Sequence, residues 1–125
     1  MRSGRIAPAV IGTWLDDLSR RDMWIGLSTA DPFTVDDPIT TEIPGAAYRR
    51  ARVVWQRASV LLLRNGNVLQ WTGLLPGTQV ACLVGWSAAF NGDPLVTMPL
   101  PELRHFPAGG AIKLGAGEVY VGADV

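Results

Sequence analysis

Residues 78–89 read TQVACLVGWSAA, and this stretch indicates the fold class. Its alternate residues are apolar and are expected on one face of a strand: Val80, Cys82, Val84 and Trp86. A period of two residues is typical of a β-strand with one buried side. The turn-forming sequence NGDP follows at residues 91–94, and the apolar LVTMPL then returns. The pattern predicts a long strand, a turn and an antiparallel partner.

Similar short apolar runs lie on both sides of this stretch. They read MWIGLS (23–28), ARVVWQ (51–56), SVLLLR (59–64), VLQWTG (68–73), AIKL (111–114) and EVYVG (118–122). Most of the 14 glycines and 9 prolines fall between the runs, as many short strands require. Asn65-Gly66 predicts a type I′ hairpin between two of them, because both residues tolerate a positive φ. We therefore expect an all-β fold, mainly an antiparallel β-sandwich.

One segment near the N-terminus has helical rather than strand spacing. Its apolar residues follow the i, i+3, i+4, i+7 pattern of an amphipathic helix: Val10, Ile11, Trp14, Leu15 and Leu18. Pro8 suits the first turn, and arginines at positions 20 and 21 favour the C-terminal end. The prediction is an N-terminal arm with a short helix (1–21) followed by one β-sandwich domain (22–125). The apolar face either docks in a partner's groove or caps its own sandwich.

Composition and charge exclude several classes of protein. The 125 residues carry 11 basic and 11 acidic side chains, so there is no net field to attract nucleic acid. Cys82 is the sole cysteine, which rules out an internal disulfide framework. No stretch approaches the ~20 apolar residues of a membrane-spanning helix, and Asp16 and Asp17 interrupt any signal-peptide core. We expect a soluble chain without membrane or nucleic-acid partners.

No motif in the sequence predicts catalysis, a metal or a cofactor. His105 is the only histidine, and Ser87 lies in GWSAA, which lacks the second glycine of a G-x-S-x-G elbow. No cysteine and histidine ligands have zinc spacing, and no phosphate-binding loop carries its lysine. Asp31 and Asp37 each precede a proline, which favours turns over a cation site. We expect no catalytic, metal-binding or cofactor-binding residues, and Cys82 as a small buried hydrophobe.

The densest basic cluster and the longest irregular segment predict an interface. Arg49, Arg50, Arg52 and Arg57 flank Trp55, and arginine and tryptophan are enriched where proteins meet. Residues 28–47 have no clear periodicity, and loops of that length are more often functional than idle. The candidate interface residues are Trp14, Leu18, Asp31, Phe33, Arg49, Arg50, Arg52 and Trp55. The chain has five tryptophans, so one or two of their rings could be exposed on a sheet face and stack on sugars, which is an alternative.

The order of these features resembles a group of small virion proteins of tailed bacteriophages, comprising minor tail, tail-fibre and head-fibre components. The match begins with GLSTADP at residues 26–32, where Ser28 stands at a position that is frequently histidine in the group. It continues with a Gly-x-Tyr-x-Arg element, here Gly45, Tyr48 and Arg49 or Arg50, with one extra alanine before the tyrosine. LVGWSAAFNGDPLVTMPLP and FPAGGAIKLGAGEVYVG are similar to the group's central strand and its ending. The resemblance covers about residues 10 to 122.

The resemblance implies a non-enzymatic structural role in a virion assembled in the host cytoplasm. A minor tail or fibre protein is expected, with other virion proteins or further copies of the chain as partners in a symmetric assembly. A capsid decoration or head-fibre protein is the alternative within virions. A carbohydrate-binding module for host recognition and, less favoured, a hydrolase using His105 are alternatives of other classes.

Overall fold

The computed structural model describes residues 8–59 and 61–122. The elements in chain order are α1 (Pro8–Arg20), β1 (Trp24–Ser28), β2 (Ala51–Arg52), β3 (Trp55–Ser59), β4 (Leu62–Asn65), β5 (Leu69–Leu74), β6 (Thr78–Trp86), β7 (Pro94–Phe106), β8 (Gly110–Leu114) and β9 (Tyr120–Gly122). Two short 3₁₀ turns, Pro32–Thr34 and Pro38–Thr41, lie between β1 and β2. All strand pairs are antiparallel, so the predicted all-β fold with one short helix is confirmed.

The first layer of the sandwich is a four-stranded sheet in the order β2-β1-β6-β7. β6 lies in its middle and pairs with β1 through Trp24–Trp86 to Ser28–Cys82. Both faces of β6 are buried: Leu83 contributes to the main core, while Cys82, Val84 and Trp86 form a second cluster on the opposite face. A strand covered on both sides is expected to be apolar almost throughout, as this one is.

The second layer consists of β3-β4-β9 and of the pair β5-β8. These are two small sheets, and the connections from β4 to β5 and from β8 to β9 meet at one corner of the layer. Asn65 joins the two connections there. Its Nδ2 donates to the carbonyl oxygens of Asn67 (2.8 Å) and Gly115 (2.9 Å). The backbone N–H of Val119 donates to Asn65 Oδ1 at 2.8 Å. The corner therefore depends on one buried amide side chain.

That buried amide also explains why the predicted hairpin at Asn65-Gly66 is wrong. β4 pairs with β3 and β9, whereas β5 pairs with β8. Neither Asn65 nor Gly66 adopts the positive φ that a type I′ turn needs. The predicted strand ARVVWQ is likewise divided between β2 and β3. Strand-forming segments were recognisable from local pattern, but the partner of each strand was not.

The main core lies between the two layers. Ile25, Leu27 and Leu83 from the first layer meet Leu69 and Trp71 from the second. The Trp71 indole N–H donates to the carbonyl oxygen of Ile25 at 3.1 Å, so its only polar atom is satisfied at the centre of the protein. The sandwich is not closed into a barrel.

Helix α1 packs against the second layer and shares the same core. Leu15 is buried in the main cluster and Leu18 packs against it. Arg57 of β3 donates to the carbonyl oxygen of Gly12 at 3.1 Å and also binds the carboxylate of Asp16. The helix therefore caps its own sandwich with one part of its apolar face. Trp14 and Val10 remain exposed, and the side chain of Ile11 and the arm at 1–7 lie outside the described residues.

Strand β7 is an edge strand of the first layer and contains a bulge. Between the pairs Val80–Arg104 and Cys82–Pro99, β6 contributes only Ala81, whereas β7 contributes residues 100–103. Prolines at positions 94, 99 and 101 remove three backbone donors from this strand. Bulges and prolines are typical of edge strands that do not accept another strand. No helix among the described residues has the length and apolar character to cross a bilayer.

Candidate interface on the outer face of the first layer

Residues 29–50, here called the cover segment, lie over the outer face of the first layer. Asp31 caps the first 3₁₀ turn of the segment, with the Phe33 N–H donating to Asp31 Oδ1 at 2.9 Å. The Thr40 hydroxyl donates to the carbonyl oxygen of Asp37 at 2.7 Å in the second turn. The prediction that Asp31 serves a turn is confirmed. Among residues 8–59 and 61–122, no three His, Cys, Asp or Glu side chains are placed to hold a metal ion.

A buried ion pair fastens the cover segment. Arg50 donates from Nε to Glu42 Oε2 and from Nη2 to Glu42 Oε1, each at 2.8 Å. The Arg50 side chain is only 3% exposed and that of Glu42 only 14% exposed. The Arg50 guanidinium also stacks over the Trp86 ring, with Cζ 4.1 Å from the centroid. A two-point, largely dry contact of this kind fixes geometry as well as charge.

Tyr48 completes the network. Its hydroxyl donates to Glu42 Oε2 at 2.5 Å and accepts the Leu27 N–H at 3.0 Å. Burial raises the pKa of the Tyr48 hydroxyl well above its ordinary value, and the Glu42 carboxylate raises it further. The phenol therefore remains a hydrogen-bond donor throughout the physiological pH range.

Gly26 of β1 provides the space that this network occupies. A Cβ atom at position 26 would lie 2.6 Å from the Tyr48 hydroxyl and 2.8 Å from Glu42 Oε2. Both distances are shorter than van der Waals contact, and both neighbours are held by hydrogen bonds. Gly26 and Tyr48 are also residues on which the sequence resemblance rests, and the structure gathers them at one place.

The same arginine orders the connection between β6 and β7, residues 87–93, here called the Phe90 loop. Arg50 Nη1 donates to the carbonyl oxygens of Ala88 (2.8 Å) and Asn91 (2.6 Å). The Asp93 N–H donates to the Ser87 hydroxyl at 2.9 Å, which closes the loop at its base. Phe90 stands at the tip and is 81% exposed. A buried charged residue thus holds in place a loop that presents an aromatic ring to solvent.

A groove of about 600 Å³ separates the Phe90 loop from the cover segment; we call it the Phe90 groove. Ile43, Gly45 and Tyr48 line one side, with Ala89 and Phe90 on the other. The exposed Arg49 lies at the groove, and its Nη1 donates to the carbonyl oxygens of Ala46 (2.8 Å) and Tyr48 (2.7 Å). A volume in this range accommodates a large side chain or a small ligand.

The predicted interface residues do not form one surface. Trp14 is exposed and Leu18 half-buried on α1, at the second layer, whereas Asp31, Phe33 and Arg49 belong to the cover segment on the first. Arg52 is exposed on β2, where it binds Asp22 at 2.7 Å. The exposed members are therefore divided between two layers of the sandwich.

Two of the predicted residues lie in the interior instead. Trp55 is 8% exposed and belongs to the main core, because its strand begins where β3 faces the other layer. The Arg50 side chain is 3% exposed, because Glu42 neutralises its charge and the carbonyl oxygens of Ala88 and Asn91 accept hydrogen bonds from its Nη1. Neither side chain is available for a partner, so both are removed from the candidate interface.

The tryptophans and the histidine decide where the alternative functions would act. Trp71 and Trp86 are fully buried, which leaves Trp14 and the half-buried Trp24 as rings that a sugar could reach. Arg52 lies over the Trp24 ring at 5.6 Å. His105 is exposed on β7 opposite Gln79 of β6, so its imidazole is solvated rather than enclosed in a cavity.

Sequence reasoning missed Glu42 and Phe90, although both carry a signal. Glu42 is the only acidic residue between Asp37 and Asp93, in a stretch that holds five arginines. A single acid among several bases is a candidate for a buried pair. Phe90 is an aromatic residue within the turn sequence AAFNGDP, where apolar side chains have no core to enter.

Comparisons with known proteins add no relative. Neither the protein-family models nor the curated proteins provide a match to this chain. The inference of function therefore depends on the residues of the chain and on the resemblance that their order suggests.

Proposed function

We propose that this protein is a non-enzymatic structural subunit of a tailed-phage virion, a minor tail or fibre component that contacts neighbouring subunits. The single observation that carries the contact is Phe90, 81% exposed on a loop held by the buried Arg50. Exposed aromatic residues on ordered loops are typical anchors of protein interfaces. The virion itself is supported by the resemblance of residues 26–32 and of the element formed by Gly45, Tyr48 and Arg49 or Arg50.

Further apolar side chains on the cover segment support the same proposal. Phe33, Val35 and Ile39 are exposed there, although Pro32 before them and Thr41 after them in the chain are buried. Monomeric proteins rarely expose several large apolar side chains close together on one segment. Contacts with neighbouring subunits would remove them from water.

The experiment is to look for the chain in purified phage particles and to image particles made without it. We expect peptides of this chain in the particle by mass spectrometry, and loss of a defined density at the tail or fibre when its gene is deleted. Restoring the gene in trans is the control and should return the density. Absence of the peptides from intact particles would contradict the proposal. Density lost from the head instead would favour the decoration or head-fibre alternative.

The carbohydrate-binding alternative now depends on Trp14 and Trp24. Trp14 is 57% exposed, and base or sugar rings stack on such indoles. Titration with host-surface glycans while recording tryptophan fluorescence tests this, with Trp14→Ala and Trp24→Ala as the informative variants. A change in fluorescence that either variant abolishes would favour host recognition over a purely structural role.

A further inference from the structure

The outer side of helix α1 is an apolar row that its own domain leaves uncovered. Val10 and Trp14 are one helical turn apart and therefore neighbours on the surface, and they are 44% and 57% exposed. Asp17 continues the row one turn further. Leu15, on the adjacent side of the helix, is buried in the main core. One side of the helix is thus anchored in the core. The other side exposes an aromatic ring to solvent, followed one turn later by a carboxylate.

The Phe90 groove has the complementary character. Phe90 provides an apolar wall, and the exposed Arg49 provides a positive charge at the same groove. Ile43 also lines the groove but is only 4% exposed, and the charges of Glu42 and Arg50 there neutralise each other. The groove volume of about 600 Å³ exceeds that of one indole ring system. An apolar ring flanked by a carboxylate is the ligand that such a groove fits best.

Asp17 can change partners at small cost. In the isolated chain it binds Arg21 at 3.0 Å, and both side chains are more than half exposed. Exposed ion pairs of this kind contribute about 0–1 kcal/mol. If Asp17 exchanges Arg21 for an arginine on another molecule, the free energy of the ion pair therefore changes little. Burial of the Trp14 ring then makes the free energy of association favourable.

We propose that copies of this chain join head to tail, with Trp14 of one copy entering the Phe90 groove of the next and Asp17 facing Arg49. The two surfaces differ and lie on different layers of the sandwich, so one copy can use both at once. Such a heterologous contact generates a ring or an open filament rather than a closed pair. This inference rests on the proposed structural function and names the partner as a second copy.

Complementation of two defective variants tests the direction of the contact. Trp14→Ser and Phe90→Ser each alter an exposed side chain, so both should fold. Analytical ultracentrifugation should show wild-type oligomers larger than the chain mass of 13.4 kDa, and each variant alone as a monomer. An equimolar mixture should form a dimer that grows no further, because each variant retains one working surface. Leu103→Ser, at another exposed apolar residue, is the matched control and should assemble as the wild type does.

A charge exchange tests the second contact. Asp17→Lys and Arg49→Glu should each weaken association by about tenfold or more, and the double variant should recover most of the loss. A monomeric wild type, single variants that still assemble, or a mixture that stays monomeric would each overturn the head-to-tail contact. Those results would leave the proposed function intact if the chain is present in particles, and only its absence there would overturn that proposal.

Discussion

The two faces of the first layer are buried by different means. The inner face meets the second layer, and Ile25, Leu27 and Leu83 pack there with apolar neighbours. The outer face, with Trp86 and Val84, is covered by an irregular segment that Arg50 and Glu42 fasten. Apolar packing is spread over many small contacts, whereas the outer cover is held by one ion pair, one tyrosine and a few backbone hydrogen bonds, such as that from the Ile43 N–H to the Leu27 carbonyl oxygen at 3.1 Å. A single substitution should therefore release the cover without unfolding the sandwich.

Arg50→Ala should have the largest effect. It leaves the Glu42 carboxylate largely buried without its partner, which lowers the free energy of unfolding by about 3–5 kcal/mol. Urea denaturation measures this loss, and hydrogen exchange should accelerate chiefly in residues 29–50 and 87–93. Arg49→Ala, at the exposed neighbouring arginine, is the control and should change stability by less than about 1 kcal/mol.

The double variant Arg50→Met with Glu42→Gln tests whether the loss of stability comes from an unpaired buried charge. Because no buried charge is left without a partner, it should be more stable than Arg50→Ala alone. A double variant as unstable as the single one would mean that the ion pair is not what fastens the cover.

Leu27→Ala should come next and should behave differently. Leu27 is fully buried in the main core, and removal of a buried leucine side chain lowers the free energy of unfolding by about 3 kcal/mol. The loss should appear as a uniform decrease in hydrogen-exchange protection across both layers. Acceleration confined to the cover segment would contradict the distinction between the two faces.

Tyr48→Phe should have the smallest effect at neutral pH. It removes the donor to Glu42 and leaves the Leu27 N–H without its acceptor, a loss of about 1–2 kcal/mol. The raised pKa of the Tyr48 hydroxyl makes this difference depend on pH. Above its ordinary value of 10.0, the unfolded chain loses the phenolic proton while the folded chain keeps it, so wild-type stability falls as pH rises.

The expected slope from this one group is about 1.4 kcal/mol per pH unit. Denaturation of the wild type and of Tyr48→Phe at about pH 9 to about pH 11 measures it. The difference in stability between them should shrink as pH rises. Parallel curves over that range would show that Tyr48 is not a buried phenol held by Glu42.

Local sequence patterns were sufficient for much of the fold. The helix was expected at 8–18 and is observed at Pro8–Arg20, because an apolar period of 3.6 residues is a local property. The strands at MWIGLS and TQVACLVGW were recognised by their apolar runs. Strand partners were not, because pairing at Asn65 depends on backbone groups 50 residues or more away in the chain.

The candidate interface was predicted less well, for a related reason. Arginines near a tryptophan in the sequence predict an exposed interface when the carboxylate that pairs with one of them is unknown. Arg50 is buried because the fold places the Glu42 carboxylate and the carbonyl oxygens of Ala88 and Asn91 within hydrogen-bond distance of its guanidinium. Phe90 is the most exposed of the exposed large apolar side chains described, and it was not predicted because it lies in a turn sequence, where no apolar periodicity marks it.

The bulged edge of β7 has a consequence for how an assembly of this protein would grow. At the high local concentration of a particle, free strand edges tend to pair with one another and extend sheets without limit. The prolines and the extra residues 100–103 make that route unfavourable at this edge of the first layer. At this edge, association is then left to side-chain surfaces, which recognise one another in a fixed orientation and so limit the number of copies that join.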